Sequence, residues 1–182
     1  MGCGVSTAVQ PAKKKPSCGE CLDTDNFSLH QRRLVLRTWR HLAEDIPGHG
    51  SMVFLKVFEM EPAVKEIFPC RGVPDERLPF DPNFKGHASR FMQAVGAVMD
   101  NIEDPEKTLN EILISMGRQH RYYKGFKMTY FEAFVGGMVY TWERVLGERF
   151  SGDTRNAWIV VFNFIKCNMV KGYRMEMSRK VV

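Results

Sequence analysis

The chain reads as all-α, seven or eight helices packed into one domain behind a disordered N-terminal arm. Three observations carry this reading. Apolar residues recur at the three- and four-residue spacing of a helix face from about residue 28 to residue 175. Ser28 with Gln31, and the pairs Asp81-Pro82 and Asp104-Pro105, stand where helices should begin. No stretch alternates apolar with polar residues as a half-buried strand does.

The 182 residues, 44% hydrophobic and 12% aromatic, suffice for one sizeable core. We divide them into an arm (1–27), a folded domain (28–176) and a short tail (177–182). Cys3, Cys18, Cys21, Cys70 and Cys167 are odd in number and widely spread, which suits thiols of a reducing compartment rather than a disulfide framework. The longest apolar run, 157–162, is far too short to span a bilayer, and the first thirty residues hold no apolar signal-peptide core. A net charge of +5, with basic residues scattered apart from Lys13 to Lys15 and Arg179-Lys180, and no groove-reading motif, argues against a nucleic-acid partner.

The arm is rich in Gly, Pro, Ser and Lys and lacks an apolar period. It begins with Gly2, Cys3 and Ser6 in the N-myristoylation pattern, and Cys3 is a natural palmitoylation site. One myristoyl chain binds membrane marginally, so a second acyl group or the lysine triplet would supply the second signal. Each lysine adds about 1 kcal/mol near an anionic surface. The expected location is the cytoplasmic face of the plasma membrane, held by lipid. Cys18 and Cys21 have redox-motif spacing without its strand-to-helix context, and no second pair completes a zinc ribbon.

The first helix follows the Ser28–Gln31 capping box and carries Val35, Leu36, Trp39, Leu42 and Ile46 to a stop at Pro47-Gly48. A second carries Val53, Phe54, Val57 and Phe58. Glu61-Pro62 opens a short third that runs to Phe68. Pro69, Gly72, Pro74, Pro79 and Pro82 then break any period, which predicts a mobile loop over 69–82. Asp81-Pro82 opens a helix that runs through His87 to about Ile102, and Asp104-Pro105 opens one that runs through His120 and stops near Gly125. Two long helices close the chain. One spans about Met128 to Leu146, with Phe131, Phe134, Val135, Met138 and Trp142 inward and Gly147 as its cap. The other spans about Asp153 to Met175, with Trp158, Val161, Phe162, Ile165 and Met169 inward.

His87 and His120 are the candidate site. His87 shares a helix face with Phe84, Phe91, Ala94, Val95 and Val98. Leu109, Ile112, Leu113 and Met116 precede His120 at intervals of eleven, eight, seven and four. An imidazole on an apolar face is disfavoured until its nitrogens are satisfied, and a metal between the two helices would satisfy one nitrogen on each. Zinc lacks a third and fourth ligand here. Catalysis lacks a nucleophile or carboxylate beside either ring. Haem suits better, since its iron takes axial histidines and its broad apolar face needs an apolar slot. The plainer alternative is two core imidazoles bonded to backbone carbonyls. Met116, one turn before His120, offers such a carbonyl, and it would fix the tautomer of a ligand equally well. His30, His41 and His49 are placed on the surface.

Phe68 closing a short helix, His87 in the next long one, Met116-Gly117-Arg118-Gln119-His120 after it, and the early Arg37-Thr38-Trp39-Arg40 resemble the globin family in order and spacing, over about residues 28–173. The Gly-Arg-x-His form at His120 and the Met-Gly-Cys start are most similar to the neuroglobin and globin X branch. The resemblance implies the globin fold around haem b. By that resemblance His120 is the proximal ligand and His87 the distal one, Phe68 wedges the haem, and Phe54 forms the distal wall. Phe91 would lie over the distal side, Arg90 would meet a haem propionate, and Phe126 and Phe131 would pack proximally. It further implies a six-coordinate iron that binds O₂, CO and NO reversibly. The expected work is redox chemistry, such as electron transfer, nitrite reduction or removal of reactive species with a reductase partner, or ligand sensing. A five-coordinate oxygen-storage or transport globin and a haem-free acylated adaptor are the competing readings.

The arm generates a test of its own. Gly2→Ala is expected to move the protein from the membrane fraction to the soluble fraction of expressing cells with no change in its absorption spectrum. Unchanged membrane association would refute the anchor.

Overall fold

The computed structural model describes residues 27–179, leaving aside the side chains of residues 105–107. The acylation motif at Gly2 and Cys3, the lysine triplet and the Cys18 and Cys21 pair lie outside the described residues. Seven α-helices follow one another: α1 (Leu29–Leu42), α2 (Ile46–Met60), α3 (Pro62–Lys65), α4 (Pro82–Asp100), α5 (Pro105–His120), α6 (Tyr130–Leu146) and α7 (Gly152–Met177). Short 3₁₀ segments occupy Asp75–Phe80 and Gly147–Arg149, and no strand occurs among the described residues. None of the described helices is long and apolar enough to cross a membrane.

Side-chain caps begin the helices where the sequence places them. Ser28 Oγ accepts the Gln31 amide at 3.2 Å while Gln31 Oε1 accepts the Ser28 amide at 3.0 Å, so two orphan donors are satisfied reciprocally. Asp81 accepts the Phe84 amide at 2.8 Å, and Pro82 opens α4 without a wasted N–H. Gly147, at φ 53°, ends α6 with its N–H on the Glu143 carbonyl.

The elements before α4 depart from expectation in three places. Pro47 and Gly48 do not end α1; they form the first turn of α2, because Asp45 takes the Gly48 amide at 2.9 Å and makes Pro47 an N-terminal proline. Ile46 therefore begins α2 rather than closing α1. The third helix is a single turn ending at Lys65, and turns carry the chain on through Phe68. Residues 69–82 are not without order: Lys65 Nζ donates to the Val73 carbonyl at 2.7 Å and to Asp75 at 2.6 Å, while Cys70 and Leu78 are buried. His49 also differs. It is half-buried, with Nδ1 2.8 Å from the Leu42 carbonyl, and joins the end of α1 to α2.

Packing sorts the histidine-bearing helices onto different partners. α4 lies on α2, which also packs on α6, whereas α5 lies along α7. α1 crosses α7 and α6, and there the fully buried Trp158 donates its indole N–H to Thr38 Oγ at 3.0 Å; that hydroxyl in turn donates to the Leu34 carbonyl at 2.8 Å. A buried indole is thereby satisfied across the core. Trp142 and Phe162 complete the cluster, both within 5.7 Å of each other and 5.5 Å of Trp158 by ring centroid.

Two glycines set how closely these pairs approach. A Cβ on Gly50 of α2 would stand 2.5 Å from the Ala88 carbonyl oxygen, next in sequence to His87. A Cβ on Gly117 of α5, three residues before His120, would stand 2.1 Å from the Met169 carbonyl oxygen of α7. Each neighbour is backbone and cannot turn aside, so each histidine helix is seated by contact with a residue that has no side chain. Gly50→Ala and Gly117→Ala are each expected to lower stability by about 2–3 kcal/mol, read as a shift of the urea midpoint at unchanged slope. A loss under 0.5 kcal/mol at both positions would show that the helices separate freely.

Candidate functional site

His120 is the last residue of α5. Its Nδ1 lies 2.8 Å from the Met116 carbonyl, one turn back, as helical spacing predicts. A carbonyl only accepts, so Nδ1 carries the proton and Nε2 keeps its lone pair. Phe126, Phe131 and Tyr123 surround the ring at 5.0, 5.2 and 5.3 Å between centroids. Phe126 arrives through the turn that follows α5, and Phe131 through the first turn of α6. Tyr173 of α7 closes behind both.

His87 stands one turn into α4, half-buried. Phe68 meets it edge-on at 5.0 Å and Phe54 at 6.1 Å. Phe54 is the hub of this wall: Phe58, Phe68, Phe84, Phe91 and Phe134 all meet it edge-on, between 5.1 and 6.1 Å. Such edge-to-face pairs add to the area they bury, so the wall is stiff as well as apolar. Phe91 packs on Phe54 and, at 5.6 Å, on Phe134. Arg90, the next turn of the helix edge, places Nη2 2.9 Å from His87 Nδ1.

The residues singled out from sequence therefore fall into two sets. Phe54 and Phe68 meet His87, with Phe91 packed on Phe54, and Phe126 and Phe131 meet His120. Phe134 was legible only as an inward residue; the structure adds it to the site, since it lies three residues after Phe131 and joins the two sets along one face of α6. Ile112 is corrected. It is 55% exposed, whereas Leu109 and Leu113 are buried as expected and Ile114 is buried in its place, because α7 covers that side of α5.

Both imidazoles are held below the ordinary histidine range. Burial is the main cause at His120, opposed by the Met116 carbonyl. Burial leads again at His87, joined by the charge of Arg90 and by His120. That last influence puts the two imidazoles within electrostatic reach of each other. The arrangement bears directly on what it can hold. A metal ion bound by protein alone needs three or more ligands, and no such group of His, Cys, Asp and Glu exists among the described residues. Two imidazoles, each packed against phenylalanine rings, suit an ion that brings its own further ligands on a flat apolar ring.

Comparison with known proteins agrees with this shape. The family model described as Globin matches residues 51–169. The chain is 24% identical to a neuroglobin of Danio rerio, over 86% of this chain and 98% of the relative. It is 24% identical to neuroglobin-2 of Oncorhynchus mykiss, over 82% and 94%. The structure of a protein described as a hexacoordinated heme protein from an anhydrobiotic tardigrade superimposes with a TM-score of 0.75 at 19% identity, covering 81% of this chain and 95% of that one.

The lowered histidines predict a pH dependence. Because the folded state resists protonation, the unfolded chain binds more protons as pH falls through the ordinary value of 6.5, and stability rises with pH. Their contribution is complete above about 6.5 and is lost progressively below it. The thermal midpoint is expected to fall between pH 7.5 and pH 5, and to fall less in the His87→Gln, His120→Gln double variant. Equal slopes in the two proteins would contradict this assignment.

Proposed function

The chain belongs to the globin family, and from that premise we propose that it is a haem globin whose iron His120 holds permanently and His87 holds reversibly. The observation that carries the proposal is a pair of imidazoles set among phenylalanine rings, with no group of three or more protein metal ligands among the described residues. Haem b fits the residues present. Cys18 and Cys21 are followed by Leu22 rather than the histidine of a covalent attachment motif, so the group would be held without covalent bonds. Bound there, the haem supplies a redox-active iron with a position that O₂, CO or NO can occupy.

The protein's part is to hold, exclude and compete. Met116 sets His120 with its lone pair on Nε2, directed away from its own helix. Phe126 and Phe131 keep water from that side, and Phe54, Phe68, Phe91 and Phe134 from the other. His87 competes with any external ligand, which lowers the apparent affinity by the fraction of protein in which His87 has withdrawn. This suits redox chemistry with a reductase partner, including electron transfer and nitrite or reactive-species chemistry, or ligand sensing, better than bulk oxygen storage. The acylation pattern at Gly2 and Cys3 supports work at the cytoplasmic face of the plasma membrane.

The visible spectrum of the purified, dithionite-reduced protein tests the reading. Sharp, separate α and β bands are expected from two axial histidines, with haem lost or greatly weakened in His120→Ala. His87→Ala is expected to keep haem and bind CO faster. One broad band in the unliganded protein would favour a five-coordinate oxygen carrier; a colourless protein would refute haem altogether.

A further inference from the structure

The two histidines are set in opposite tautomers. His120 Nδ1 meets a carbonyl, which only accepts. His87 Nδ1 meets a guanidinium, which has five N–H donors and no lone pair to offer. Nδ1 of His87 must therefore be the acceptor, and a neutral imidazole that accepts at Nδ1 carries its proton on Nε2. In that form Nε2 has no lone pair for iron; it is a hydrogen-bond donor. One histidine is thus prepared as a ligand and the other, by its own neighbour one turn along α4, is not.

Space for the contact is built into the helix. The guanidinium folds back along α4 over Gly86, whose Cβ, if it had one, would stand 3.4 Å from Arg90 Nη1. On the other flank Phe68 and Phe54 pack edge-on against the imidazole, which holds the ring where Arg90 can reach it. Arg90 itself is exposed, so it can exchange His87 for water.

We propose that Arg90 is a positioning residue that opposes ligation by His87. While the guanidinium occupies Nδ1, His87 presents Nε2–H toward the site and the sixth position stays open to an external ligand. His87 ligates only after Arg90 withdraws and the proton shifts: Nε2 releases one proton to water and Nδ1 takes one from water, with no change in charge. The inference rests on the haem-globin reading and adds to it the residue that sets the balance between the open and the closed site.

The test uses the full-length haem-loaded protein and two variants, Arg90→Leu, which removes the donor, and Arg90→Glu, which replaces it with an acceptor for Nδ1–H. The ratio of six-coordinate to five-coordinate ferrous protein is expected to rise about fivefold in Arg90→Leu, the worth of one hydrogen bond, and further in Arg90→Glu. CO association should slow in the same order. Under carbon monoxide, where His87 is free of the iron, ¹⁵N NMR should find the His87 proton on Nε2 in the natural protein and on Nδ1 in Arg90→Glu. A red protein in which neither variant moves the ratio, or in which the His87 proton stays on Nδ1 throughout, overturns this inference alone. Loss of haem from both variants at an unchanged ratio overturns it too, and assigns Arg90 to the haem propionates. A colourless natural protein overturns the haem reading and this inference with it.

Discussion

An imidazole taken out of water must have its two nitrogens answered, and the answers available to His87 and His120 organise the rest of the molecule. His120 obtains one answer locally, from the Met116 carbonyl of its own helix. His87 obtains one from Arg90 on the edge of its helix. Each leaves Nε2 without a partner from its own helix, and apolar rings packed around such an imidazole offer it no competing polar group. The phenylalanines of α2, α4 and α6 serve that purpose, with Phe54 at their centre.

The two histidine helices are seated on different partners. α4 is pressed onto α2 at Gly50, and α5 onto α7 at Gly117. Backbone meets backbone at both places, so neither helix can settle deeper toward its partner, while the buried Trp142, Trp158 and Phe162 cluster anchors the far ends of α6 and α7. The outer edge of α4 beside His87 nevertheless keeps exposed groups such as Arg90 and a separately anchored approach over residues 66–81.

The difference between the two histidines has a functional reading. A residue that must hold iron at all times is best locked by a partner that cannot leave, and a main-chain carbonyl is such a partner. A residue that must let go is best paired with something mobile. Arg90 is long, charged and exposed, and its donors impose the tautomer opposite to the one that iron requires. On the proposed reading, site opening would depend on a small competition at Nδ1 rather than on a large movement of the fold.

The sequence by itself determined the helical class, the starts of α1, α4 and α5, the inward faces of α6 and α7, and the Met116–His120 bond. All of these follow from contacts within a few residues: a capping oxygen three positions before an amide, or a carbonyl four positions before an imidazole. Tertiary structure decided what such spacing cannot carry. Pro47-Gly48 reads equally as the end of one helix or the start of another until Asp45 takes the Gly48 amide. The prolines of 69–82 read as a break until Lys65 reaches across to Val73 and Asp75. Ile112 and Ile114 differ in burial because α7 covers one side of α5, and no period within α5 says which. Phe134 joins the site only through rings that α2 and α4 bring to it. Arg90, three residues after His87, could equally have faced solvent or a carboxylate; its choice of Nδ1 is a matter of which rotamer the packed helix leaves open, and that is decided only in three dimensions.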